Sequence, residues 1–123
     1  MARVTGIGGI FFKSRDPKAL AAWYAKHLGL PVSPFGGVKF AEDESRPGVT
    51  LWTPFKEDTD YFKPSTKDFM INFRVDDLDA LLAQLRSEGV QVDANVQDSE
   101  YGKFGWIMDP DGNRVELWQP PAG

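Results

Sequence analysis

The chain of 123 residues has no cysteine and a single histidine, His27. The first absence removes disulfides, thiolate nucleophiles and sulfur-ligated metals together. The second leaves few of the side chains from which transition-metal sites and general bases are usually built, and a two-histidine, one-carboxylate iron site cannot come from one such chain. Blocks of like charge are missing too. The 18 acidic and 14 basic residues are scattered, with a formal net charge of -4, so there is no tail suited to nucleic acid or an anionic membrane surface. No apolar run approaches the roughly 18 residues of a membrane span, and the opening MARVTGIGGIFF is too short for a secretory signal and lacks a small-residue cleavage site. These absences lead us to expect a soluble cytoplasmic protein with no nucleic-acid and no membrane partner.

What is present suits one compact domain over residues 1–123, since 41% of the residues are apolar. The chain also repeats itself. VTLWTP at 49–54 and VELWQP at 115–120 share Val, Leu, Trp and Pro, and differ in that Thr50 stands where the second copy has Glu116. The match extends upstream: Gly9 falls opposite Met70, Phe12 opposite Phe73, Lys13 opposite Arg74, Asp16 opposite Asp77, Leu20 opposite Leu81 and, after a one-residue gap, Gly29 opposite Gly89.

Each half opens with strand-like alternation, Ile10 and Phe12 in one, Ile71, Phe73 and Val75 in the other. Asp16 and Asp77 then read as helix N-caps, with Pro17 at the first helical position, and Gly29 and Gly89 suit the left-handed position past a helix end. The apolar stripes are Leu20, Tyr24 and Leu28, then Leu81, Leu82 and Leu85. Short β-like segments follow each helix, giving β-α-β-β-β twice. DPDGN at 109–113 is a hairpin turn, with Pro110 presetting its backbone angle and Gly112 free to take a positive φ. The fold class expected is α+β, with module one at about 5–54, a linker at about 55–68 and module two at about 69–120. Tyr61 and Phe62 are unusual for a solvated connection, so the linker is expected to lie against the protein, either over a cleft or merely anchored by its aromatics.

The paired modules, the DP helix start with LAAWYAKHLGL and the closing DPDGNRVELW resemble the vicinal oxygen chelate superfamily over essentially the whole chain. Its members include glyoxalase I, extradiol dioxygenases, fosfomycin-modifying enzymes and bleomycin-binding proteins. The resemblance implies two tandem βαβββ modules whose sheets form a half-open cup around a cleft, with helices on the convex side. It also implies a homodimer, and pairing of modules within or between chains is left open by sequence. Metal-dependent relatives carry ligands at the positions that here are Gly9, Thr50, Met70 and Glu116. Of these, only Glu116 suits a hard or borderline metal. No metal site and no cofactor are therefore expected.

If Gly9, Met70 and Glu116 face the cleft, period-two alternation adds Phe11, Lys13, Asn72, Arg74, Arg114 and Trp118, and Thr50 brings Trp52. The opposite parity, Ile10, Phe12, Ile71, Phe73, Val75, Val115 and Leu117, is uniformly apolar, as a helix-covered face should be. The expected ligand-binding set is Phe11, Lys13, Trp52, Asn72, Arg74, Trp106, Glu116 and Trp118. Trp106 joins it although the glycines around it suggest a bend or close backbone approach. Trp23 and Tyr24 are read as core, and His27 as a helix-end residue. Flat aromatic area beside a few charges suits a small organic molecule. The alternative for Glu116 is an ion pair with Arg74 or Arg114.

Two functions follow. The first is a metal-independent small-molecule-binding protein taking an aromatic or amphipathic ligand in the cleft between modules. The alternative is a lyase, isomerase or dioxygenase, either metal-dependent through Glu116 with Glu42, Asp43 or Glu44, or metal-free with Glu116 as general base and Arg74 or Lys13 at an oxyanion.

Overall fold

Two aspartates start the two helices of the computed structural model, which describes residues 9–41, 43, 45, 46 and 48–122. Asp16 caps α1 (Pro17–Leu28) by accepting from the Ala19 amide, and Asp77 caps α2 (Leu78–Ser87) by accepting from the Ala80 amide, each at 3.1 Å. The expected stops hold as well. Gly29 closes α1 at φ 69°, and Gly89, one residue past the Glu88 cap of α2, has φ 78°.

The strands belong to the second half. β1 (Ile71–Arg74), β2 (Gln97–Ser99), β3 (Gly102–Met108) and β4 (Arg114–Gln119) form one open sheet in the order β1-β4-β3-β2. β1 runs parallel to β4, as the intervening α2 requires, and the other pairs are antiparallel. The β3–β4 hairpin turns on DPDGN. There Gly112 has φ 79°, and the buried Asp109 carboxylate accepts from the amides of Asp111 and Asn113, both at 2.9 Å. The protein is thus a mixed α+β fold.

One face of this sheet carries the core. Ile107, Val115 and Leu117 pack with Leu78, Leu82 and Leu85 of α2 and with Leu20 and Tyr24 of α1. The apolar parity read from sequence is the covered one. Gly105 explains how α2 comes so close: a β-carbon there would stand 3.0 Å from Leu82 Cδ1. The stripes shift slightly from expectation. Leu78 joins α2's buried set while Leu81 is only partly buried, and His27 is buried on α1 where Leu28 is only partly so. His27 lies against Trp23, and its Nδ1 is 2.8 Å from Glu88 Oε1, so it ties the end of α1 to the end of α2.

The first half departs most from the sequence reading. Among the described residues it holds α1 and one isolated bridge, Val32 with Val38, and no strand. Segments 9–13 and 48–54, expected as strands, join no ladder. An extended segment is held by a neighbour that satisfies its backbone groups. β1 has such a neighbour in β4, and its other edge pairs with no strand among the described residues. Ile10 and Phe12, expected on the helix-covered face, are exposed accordingly, as are Val49 and Leu51. No described helix is long and apolar enough to cross a membrane.

Candidate functional site

The sheet face away from the helices is where polarity collects. Strand register sets Asn72 of β1, Glu116 of β4 and Trp106 of β3 side by side, and in the next row Arg74, Trp118 and Phe104. Their side chains share one face by alternation. Glu116 is the hub of the first row. Its Oε1 accepts from Asn72 Nδ2 at 2.7 Å, and its Oε2 accepts from Trp106 Nε1 at 2.8 Å and from the Tyr61 hydroxyl at 2.5 Å. The carboxylate is 7% exposed and has no cationic partner among the described residues. The expected alternative, an ion pair with Arg74 or Arg114, is therefore not what forms. Arg114 turns instead to Asp93, 3.2 Å away, with its guanidinium over the Trp106 ring at 5.1 Å.

Tyr61 comes from outside the sheet. Its segment crosses the polar face, its ring stands edge-on to Trp106 at 6.0 Å and 88°, and Phe55 stacks on its other side at 5.6 Å and 26°. Burial, then donation to Glu116, pushes the Tyr61 phenol well above its ordinary value of 10.0. Beside Tyr61 and Trp106 opens a cavity of about 490 Å³, lined also by Thr59, Asp60, Asp93, Asn95, Gln97 and Arg114. Its walls combine two aromatic side chains with one cation, two carboxylates and uncharged polar groups. Arg114 Nε is buried there without a hydrogen-bond partner.

Of the expected ligand-binding residues, the structure brings Asn72, Trp106 and Glu116 together and places Arg74 and Trp118 one row further along. Trp118 stacks nearly parallel on Phe104 at 6.1 Å and donates to the Tyr101 carbonyl at 2.8 Å, while Arg74 packs against Gly48. The other three lie elsewhere. Phe11 is 95% exposed and Trp52 is 78% exposed, neither lining this cavity. Lys13 lines a separate cavity of about 220 Å³ with Ser14, Arg15, Lys67 and Asp111. The common cause is the missing ladder of the first half, since alternation fixes a face only in a paired strand. Thr59, Asn95 and Gln97 gave no sequence signal. Tyr61 did, as an aromatic in a charged connection.

The metal question turns on the same three donors. An indole N–H can only donate, and the Asn72 amide and the Tyr61 hydroxyl also point hydrogens at Glu116. A cation there would face those hydrogens, so Glu116 as placed does not fit a metal ligand. No group of three or more His, Cys, Asp or Glu side chains suited to a metal occurs among the described residues. Of the carboxylates expected as recruits, Asp43 binds Ser45 and Arg46, and Glu42 and Glu44 lie outside the described residues.

Helices on one face of an open mixed sheet, with a polar aromatic face on the other, place the protein in the α+β class. Residues 9–118 match the model of the glyoxalase-like domain, and the chain belongs to that family, within the vicinal oxygen chelate superfamily. Among solved structures it is similar to TnmS3, an antibiotic binding protein from Streptomyces sp. CB03234, with 21% identity, a TM-score of 0.62 and coverage of 98% of this chain and 100% of that one. It is also similar to the oxidase ChaP-H2, with 22% identity, a TM-score of 0.52 and 89% of each chain covered. A glyoxalase/bleomycin resistance protein from Streptomyces sp. CB03234 shares 39% identity over 40% of this chain and 42% of its own, with a TM-score of 0.37, so the matched part spans less than half of that relative. No curated protein matches the chain.

Proposed function

We propose that the protein binds a small aromatic or amphipathic molecule without a metal, in the cleft beside Tyr61, Trp106 and Arg114. The observation that carries this reading is the wall of the 490 Å³ cavity, where Tyr61 and Trp106 stand beside a guanidinium and the amide side chains of Asn95 and Gln97. Pockets for organic ligands are of this size. Metal independence rests on Glu116, whose two oxygens are already engaged by Tyr61, Asn72 and Trp106. The fold is one that an antibiotic-binding protein also uses, so it can hold a small organic molecule.

The finer architecture belongs to the same proposal. Two βαβββ modules, one either side of a linker at about 55–68, make a cup in a homodimer. The exposed apolar side chains of Phe11, Leu51 and Trp52, and the open edge of β1, give a second copy of the chain something to cover.

The test is to strip the protein with chelator and titrate it with planar aromatic cations and neutral aromatics, following tryptophan fluorescence. Saturable binding by the metal-free protein that weakens about tenfold in Arg114→Ala is expected. Binding that appears only after manganese, nickel, iron or zinc is restored would reject metal independence. Sedimentation across a concentration series reads the oligomeric state, and a monomer at all concentrations would remove the homodimer.

A further inference from the structure

The residue that fills the polar face is itself a phenol. Tyr61 reaches Glu116 from a segment, 54–64, that has neither helix nor strand, and its ring is held edge-on by Trp106 and face-on by Phe55. Nothing in the sheet requires a phenol there. Asn72 already satisfies Oε1 and Trp106 already donates to Oε2, so Tyr61 supplies the remaining donor to a carboxylate with room for it. The segment's other bonds are local: Thr59 N donates to Lys56 O and Lys63 N to Asp60 O, both at 3.1 Å, Tyr61 N donates to Thr59 Oγ1 at 3.2 Å, Lys63 pairs with Asp60, and Phe55 packs on Phe62. Tyr61 and Trp106 both line the cavity.

We infer that the ligand class is hydroxyaromatic, and that Tyr61 is a resident stand-in whose place at Glu116 the phenolic O–H of the ligand takes, with the ligand ring on Trp106. The exchange is like for like. One charge-assisted O–H···O hydrogen bond replaces another, so the carboxylate is never left short of a donor, whereas an aromatic without a hydroxyl can displace Tyr61 only by leaving that oxygen unsatisfied. Glu116 thereby sets specificity, and Tyr61 sets how tightly any ligand must compete for the place. An internal competitor lowers apparent affinity by the fraction of time it occupies the site, so removing its hydroxyl strengthens true ligands.

This inference rests on the proposed reading of the cavity, and the test separates the two. Calorimetric titration compares 2-naphthol with 2-methoxynaphthalene, which has the same rings and no donor. Native protein is expected to bind the naphthol at least tenfold more tightly. Tyr61→Phe is expected to bind both compounds about fivefold more tightly than native protein does, because neither then has to break the Tyr61–Glu116 bond, and Glu116→Gln to erase the preference. Equal binding of both compounds by native protein overturns the hydroxyaromatic class and leaves the aromatic cavity standing. Binding of neither overturns the cavity reading as well. Naphthol binding that Tyr61→Phe leaves unstrengthened overturns the stand-in role. The comparison on native protein needs no variant to fold.

Discussion

Leu51-Trp52 and Leu117-Trp118 are the same dipeptide after the same valine-containing start, yet Leu51 is 69% exposed and Leu117 is fully buried, while Trp52 is 78% exposed and Trp118 only 9%. Local sequence does not separate them. What differs is company: β4 lies between β1 and β3 under α2, and segment 48–54 has no ladder partner among the described residues. Period-two alternation states which side chains can share a face, and only a neighbouring strand turns that possibility into a buried and a polar side. Glu116 depends on the same company, because its donors come from β1, β3 and the segment holding Tyr61.

The comparison breaks most visibly at the leucines. Leu117→Ala should cost about 2–5 kcal/mol in urea unfolding, as buried leucines do, and Leu51→Ala under about 0.5 kcal/mol in dilute protein. A large effect of Leu51→Ala that grows with protein concentration would mean that a second chain covers this segment. Next comes the odd pair. Glu116→Ala strands buried donors on Asn72 and Trp106 and should cost about 2–3 kcal/mol, whereas Thr50→Ala should stay within about 0.5 kcal/mol.

The helix caps sharpen the comparison from the other side, because there the halves agree. Asp16→Ala and Asp77→Ala should each cost about 1 kcal/mol. If only Asp77→Ala registers in unfolding, α1 contributes little to the cooperative fold. Smallest is a pH effect. Tyr24 and Tyr61 both have phenols raised above 10.0, chiefly by burial and then by donation to Asp109 and Glu116. The folded state holds those protons more tightly than the unfolded state. Their contribution is therefore complete below about pH 10 and is lost as pH rises towards the folded values. Tyr61→Phe should flatten part of the alkaline fall in stability, measured by unfolding between pH 9 and 11.

The helices were legible down to their caps, because Asp16, Asp77, Gly29 and Gly89 act through their immediate neighbours in sequence. So was the covered face of β1 and β4, where a clean apolar parity meets a leucine-rich helix. The direction of Trp106 was not legible: the glycines beside it mark a close approach, and only the structure shows that Gly105 takes α2 and leaves Trp106 on the polar side. Phe11, Lys13 and Trp52 stand apart from the group around Glu116, because the alternation from Gly9 and Thr50 that places them on the cleft side runs along segments that join no ladder among the described residues. Asn72 was legible as a neighbour of Glu116 on one face, and Trp106 as a member of the same set, but neither as its hydrogen-bond partner. Its partners lie 10, 44 and 55 residues away in sequence, and charge counting favoured arginines over an indole, an amide and a phenol.

The Tyr24 hydroxyl donates to Asp109 at 2.7 Å across 85 residues, and Asp109 is the residue that organises the 109–113 turn. That single bond makes the turn a receiver for α1. Closing so long a loop costs more chain entropy than closing the hairpin, by about 0.6 kcal/mol for each doubling of length. We therefore expect an order of assembly, in which the β3–β4 hairpin with α2 forms first and α1 docks afterwards. Amide hydrogens of α1 should then exchange with solvent sooner than those of β3 and β4, and Asp109→Asn should widen the gap.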